Sequence, residues 1–145
     1  MKSIEFPVWR ILTLDSIEAP SNPARAPEGR FHHSGQIAAY ASLSSKGAGV
    51  AIQRYLIDKI ERKLIPMHFR ADCVVDERGN DEASVVWQDF RAHGVPSPTW
   101  AISDAAREIG AEAMLYSSRS RPDLSHVVIF DPGCLSFVGP INSFG

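Results

Sequence analysis

An α+β domain is the fold class this sequence predicts, and three observations predict it. Short apolar stretches recur along the chain, at residues 6–14, 36–42, 67–75, 113–116, 126–130 and 135–138, several with two-residue alternation. Three stretches carry helical spacing, at about 48–61, 81–93 and 99–109. Strands and helices do not alternate regularly, which argues against a doubly wound parallel sheet. At 145 residues the chain is expected to form a single domain, 1–145, with room for a proper core.

The first strand, 6–14, places Val8, Arg10, Leu12 and Leu14 on one parity and Trp9, Ile11 and Thr13 on the other. Neither face is purely polar, so the strand is expected to be central. Arg10 is its anomaly, a charge in an apolar strand. It either reaches the surface or a carboxylate, or points into a pocket. Residues 15–28 hold Pro20, Pro23 and Pro27 and read as a long irregular loop that delivers the chain to Gly29-Arg30.

Residues 36–42 read as a short buried strand. Ser44-Ser45 then offer an N-cap for a helix running to about residue 61, with Ala48, Ile52, Tyr55, Leu56 and Ile60 on one face. Pro66 is expected to end that unit. Met67, Phe69, Ala71 and Cys73 alternate with His68, Arg70 and Asp72 in a half-buried strand that continues into Val74-Val75. A turn at 76–81 leads to a short helix, 81–93, with Val85, Val86, Trp87 and Phe90 inward and Gly94 as its stop. A third helix, 99–109, ends at Gly110. After it come a strand at 113–116, a polar loop at 117–125, a strand at 126–130 and a last extended piece at 135–138 before a Gly/Pro-rich tail.

Composition narrows the function. The chain is 44% hydrophobic and 22% charged with a net charge of −2. No basic run is present, so nucleic-acid binding through bulk electrostatics is not expected. No apolar run reaches the length of a membrane span, and the first residues do not read as a signal peptide, so a cytoplasmic protein is expected. Cys73 and Cys134 stand in no metal spacing and are expected to be buried thiols.

His32, His33, His68, His93 and His126 lack carboxylate or cysteine partners at ligand spacing, so no metal is expected. No Gly-x-Ser-x-Gly elbow is present, and Gly47-Ala48-Gly49 lacks the remaining parts of a dinucleotide fingerprint. What remains is Arg10, Arg30, Tyr40 and Ser117/Ser118, each at the end or edge of a predicted strand. Arginine forks match phosphate, a tyrosine face can stack on a heteroaromatic ring, and serines can hydrogen-bond an amide or ribose hydroxyl. Composition and spacing alone stop at an α+β domain with a phosphate-binding pocket.

The order of these motifs resembles the RES domain. Trp9-Arg10 is followed by Gly29-Arg30-Phe31-His32-x-x-Gly35, then Tyr40-Ala41-Ser42, Tyr116-Ser117-Ser118-Arg119 and Val127-Val128-Ile129-Phe130-Asp131-Pro132. The resemblance spans roughly residues 8–135. It implies an ADP-ribosyltransferase-like split sheet and a toxin acting on NAD⁺, by hydrolysis, phosphorolysis or ADP-ribosyl transfer. It also implies an Xre-type helix-turn-helix antitoxin as partner, and a homodimer within a larger complex. By position, Arg30, Tyr40 and Ser118 match active-site residues, with Arg10 a second basic group and Ser117 beside Ser118.

One position departs. The gapless match Gly47-Ala48-Gly49-Val50-Ala51 puts Ala51 where the family has its glutamate, with Gln53 the nearest polar residue. Cleaving the nicotinamide–ribose bond passes through an oxocarbenium-like state that a carboxylate stabilises, and alanine cannot. The chain is therefore expected to be inactive. Ala51 is either a replaced glutamate, which accounts for the other matching positions being intact, or the mark of a non-catalytic nucleotide-binding or scaffold module.

Overall fold

Alternation along one long strand pair sets the architecture. In β1 (Lys2–Thr13) the even-numbered side chains face inward: Val8 is fully buried, and Ile4, Phe6 and Leu12 pack against the core around it. Its partner is β3 (Arg62–Asp76), antiparallel from Thr13↔Arg62 to Ile4↔Ala71. The computed structural model describes residues 2–53 and 58–144.

A register shift interrupts the pair between Ile4↔Ala71 and Lys2↔Val74. Up to it β3 buries Ile65, Met67, Phe69 and Ala71; beyond it the buried residue is Val74, so the alternation changes phase. Here β3 takes a new neighbour. Val74–Asp76 run parallel to β4 (Ala113–Ser117), whereas the earlier part of that edge pairs antiparallel with β6 (Leu135–Phe137) and β7 (Asn142–Phe144).

β4 pairs with β5 (Ser125–Ile129), β5 with β2 (Ala39–Ser42), and β2 touches β1 at Trp9↔Ser42. The sheet thus curls back on itself through β1-β2-β5-β4-β3. This is the expected α+β class, its strands joined in one continuous sheet with three helices among the described residues.

Both faces of β2, β4 and β5 are buried, which explains why those segments read as nearly unbroken apolar runs. Ala39, Ala41, Ala113, Leu115, Val127 and Ile129 point into one core with Val8, Met67 and Phe69. Met114, Tyr116 and Val128 point the other way, into a second core with Phe31, Ala38, Ala83 and Ala106. Helix α3 (Pro98–Glu108) covers that second face, with Pro98 in its first turn, Ser97 accepting from Thr99 N at 3.2 Å, and Gly110 at φ +85° behind it. Among the described residues no helix is long and apolar enough to cross a membrane.

The structure departs from the expected elements at four places. The helix expected to reach residue 61 is described as α1 (Ser45–Ile52), capped by Ser44, whose Oγ accepts from Gly47 N at 2.9 Å. Tyr55 and Leu56 lie outside the described residues. Residues 59–61 are not helical: Asp58, in a 3-10 turn, accepts through Oδ1 from Ile60 N at 2.8 Å and Lys59 has φ +60°, so the chain turns there and Ile60 is exposed. Pro66 lies within β3 opposite Trp9, not at the end of a helical unit.

The expected 81–93 helix is two pieces, a 3-10 turn (Asp81–Ser84) and α2 (Trp87–Ala92), parted by extended backbone at Val85 and Val86, where β-branched residues disfavour helix. Asn80 caps the first piece and Gly94, at φ +74°, closes the second. The tail also supplies a strand that was not expected, β7.

Candidate functional site

Strand register assembles the site from distant residues. Ser42 on β2 lies opposite His126 on β5, and His126 opposite Tyr116 on β4. Tyr40, two residues before Ser42, and Ser118, two after Tyr116, keep the same parity. A cleft of about 550 Å³ opens beside this row, within the range of small-molecule sites. Arg30, Tyr40, Ala51 and Ser118 all line it, as do Gly29, His126, Trp87 and Arg119. Four candidates separated by almost ninety residues of chain thus line one cleft.

The loop carrying Arg30 is fixed from α3. Trp100 Nε1 donates to Gly29 O at 2.9 Å, and the Thr99 hydroxyl donates to Arg30 O. Phe31 is fully buried, edge-on to Tyr116 at 4.7 Å. The Tyr40 hydroxyl accepts from Phe31 N at 3.0 Å and meets His32 Nδ1 at 2.7 Å, while His32 Nε2 meets Ala26 O at 2.8 Å. A carbonyl only accepts, so Nε2 carries the His32 proton and Tyr40 donates to Nδ1. Gly29 is required by this packing: a Cβ there would lie 2.4 Å from His32 Cε1 and 2.8 Å from the Tyr40 hydroxyl.

Burial keeps these rings neutral. It raises the Tyr40 phenol well above the usual range, and it pushes Tyr116 up to about 12 against the opposing charge of Arg30. Burial also lowers His32. Arg30 itself donates from Nη1 to Ala83 O at 3.1 Å and Val85 O at 2.5 Å. Its charge reaches the phenols and His126, so the wall carries a positive potential.

His126 is a site residue that the sequence reading missed. It is buried, Nδ1 lies 2.7 Å from Ser42 Oγ, and its ring packs on Tyr116 at 5.4 Å. Nε2 has no hydrogen-bond partner among the described residues, and the residue lines the cleft. Burial first, and Arg30 second, depress it to about 4.

The depressed His126 makes stability depend on pH with a definite sign. Below about pH 6.5 the unfolded chain takes this proton before the folded one does. Stability is therefore full above that pH and falls by about 3 kcal/mol as pH drops towards 4. Ring-proton NMR should show one histidine still neutral at pH 5 that His126→Gln deletes. A His126 signal titrating near 6.5 would contradict the burial argument.

Two expected site residues are placed differently. Arg10 is buried, with Nε donating to Tyr40 O at 2.9 Å and Nη1 to Pro20 O at 2.7 Å and Asn22 O at 2.9 Å. Among the described residues it pairs with no carboxylate; it ties the proline-rich loop to the backbone of β2, lining the smaller adjoining hollow. Ser117 Oγ accepts from Gly79 N at 3.0 Å and does not line the cleft, because its parity turns it from Tyr116 and Ser118. Ser118 is buried in the cleft wall, and its Oγ accepts from Arg121 N at 3.3 Å, leaving its proton to donate.

Elsewhere Glu112, Asp131 and Cys134 bring donor atoms within 4.8 Å of one another. Glu112 Oε1 already accepts from Asp72 and Cys73 N–H, and Cys134 Sγ donates to Oε2 at 3.5 Å. Burial, then Glu112, push that thiol up to about 12, which keeps it protonated. Cys134 is the buried thiol expected; Cys73 is half-buried, and the two do not form a disulfide.

The chain superposes on one chain of the crystal structure of the M. tuberculosis MbcT–MbcA toxin–antitoxin complex with a TM-score of 0.63 and 15% identity, covering 99% of this chain and 84% of that one. The family model for the RES domain matches residues 7–143, and the chain belongs to that family. A sequence search among curated proteins gives no match.

Proposed function

We propose that this protein is a toxin of the RES type whose cleft takes NAD⁺, and that an Xre-type helix-turn-helix antitoxin neutralises it. The observation that carries the reading is the convergence of Arg30, Tyr40, Ala51 and Ser118 on one cleft in a chain of this family. The likeness to a chain from a toxin–antitoxin complex supports the partner.

In this reading Arg30 gives the wall its positive potential and Tyr40 offers a ring face fixed by His32. Ser118 donates to the nicotinamide amide or its ribose. Arg10 holds the wall from behind. The reaction breaks the nicotinamide–ribose bond, with water, phosphate or a protein group taking the ribose carbon and nicotinamide leaving with the bonding pair. Ala51 offers no carboxylate for the sugar cation, so this chain binds without cleaving.

Calorimetry tests the binding half. NAD⁺ should bind, and Ser118→Ala should weaken it about 5- to 10-fold, the worth of one neutral hydrogen bond. No binding of NAD⁺ would remove the reading. Ala51 also favours a second one, a RES-type module that senses NAD⁺ or ADP-ribose without chemistry. Restoring the glutamate separates the two.

A further inference from the structure

Arg119 stands apart from every other arginine whose side chain is described. Most of those are held by carboxylates, as Arg91 is by Glu28 and Arg121 by Asp123, and Arg10 and Arg30 donate to backbone carbonyls. Arg119 has neither an ion pair nor a hydrogen bond among the described residues, and it lines the cleft. Its side chain is exposed, yet its backbone is fixed. Ser118 N donates to Leu124 O at 3.0 Å, Leu124 N to Arg121 O at 2.8 Å, and the Arg121–Asp123 pair closes the turn at 2.7 Å.

The charges facing the cleft are lopsided. Its lining carries the guanidinium groups of Arg30 and Arg119 and one carboxylate, Glu28, which Arg91 already neutralises at 3.0 Å. Burial depresses both lining histidines, His32 and His126. A chain of net charge −2 therefore presents a cationic cleft. An unengaged planar fork on a rigid turn at its rim suits a tetrahedral oxyanion, which it can bond through two parallel N–H groups.

We propose that Arg119 is the phosphate-gripping residue of the cleft, the group that holds the diphosphate of a bound nucleotide. This assigns to Arg119 the role that the sequence pattern gives to Arg10, and it rests on the nucleotide reading of the site. Arg10 cannot fill that role without releasing the carbonyls of Pro20, Asn22 and Tyr40.

The test is binding of ADP, inorganic pyrophosphate and adenosine to the full chain and to Arg119→Gln, an exposed change that should leave the melting temperature unaltered. The glutamine should weaken ADP and pyrophosphate about 10- to 100-fold and leave adenosine unchanged, with Arg119→Lys recovering part of the loss. Equal ADP affinity in the two proteins would overturn the proposal while the nucleotide reading stands. Arg119-dependent binding of pyrophosphate without binding of ADP or adenosine would overturn the nucleotide reading and keep the phosphate role. Binding of neither phosphate-bearing probe overturns both.

Discussion

Ala51→Glu is expected to raise NAD⁺ cleavage by about 10²–10⁴-fold, the range a positioned carboxylate contributes as a charge stabiliser or general base. Ala51 is exposed on the last turn of α1 and lines the cleft, so a longer side chain there enters open space and not core. Glutamate is a good helix former. Its charge near a helix C-terminus costs about 0.3–1 kcal/mol, too little to unfold the domain. Ala51→Gln is the matched control, equal in size and polar but uncharged, and it should gain nothing. The readout is free nicotinamide by proton NMR, with and without phosphate. Cleavage by the glutamate variant alone would make residue 51 the seat of the reaction. Bound but intact NAD⁺ with both variants would favour the sensing module.

Arg10→Ala is expected to cost on the order of 3–5 kcal/mol in stability, because it leaves the carbonyls of Pro20, Asn22 and Tyr40 without their charged donor in a buried place. The guanidinium is depressed only to about 10, so it remains charged at neutral pH and its hydrogen bonds are charge-assisted. Arg10→Lys should recover little, since one ammonium cannot span carbonyls on two segments of chain. Urea unfolding measures this as a lower midpoint at unchanged slope. A variant of normal stability with much weaker NAD⁺ binding would instead return Arg10 to the ligand.

The strands were legible because alternation survives wherever one neighbour is core, as at Met67, Phe69 and Ala71. The extent of β3 was not. Its first residues follow a turn that continues the apolar spacing of the preceding helix, and Pro66 reads as a terminator although it is tolerated inside the strand opposite Trp9. Likewise β7 exists only by pairing with β3, a long-range event with no local signature.

The site divides in the same way. Gly29-Arg30 and Tyr40 announce themselves as punctuation around a short strand, and the family pattern adds Ser118 and Ala51. His126 looks like an ordinary histidine starting an apolar strand. Only the register Ser42–His126–Tyr116 turns it towards the cleft. Arg119 looks like a solvated loop charge, and what marks it is the engagement of its neighbours, which sequence does not display.

The central claim is that the cleft beside Arg30, Tyr40, Ala51 and Ser118 is where NAD⁺ binds. Titrating NAD⁺ into the isotope-labelled chain and following backbone amide signals tests it most directly. Saturable shifts at Gly29, Arg30, Ala51, Ser118 and Arg119, with Glu112, Cys134 and Phe137 unmoved, are the predicted result. Shifts centred elsewhere, or none at millimolar NAD⁺, would contradict it.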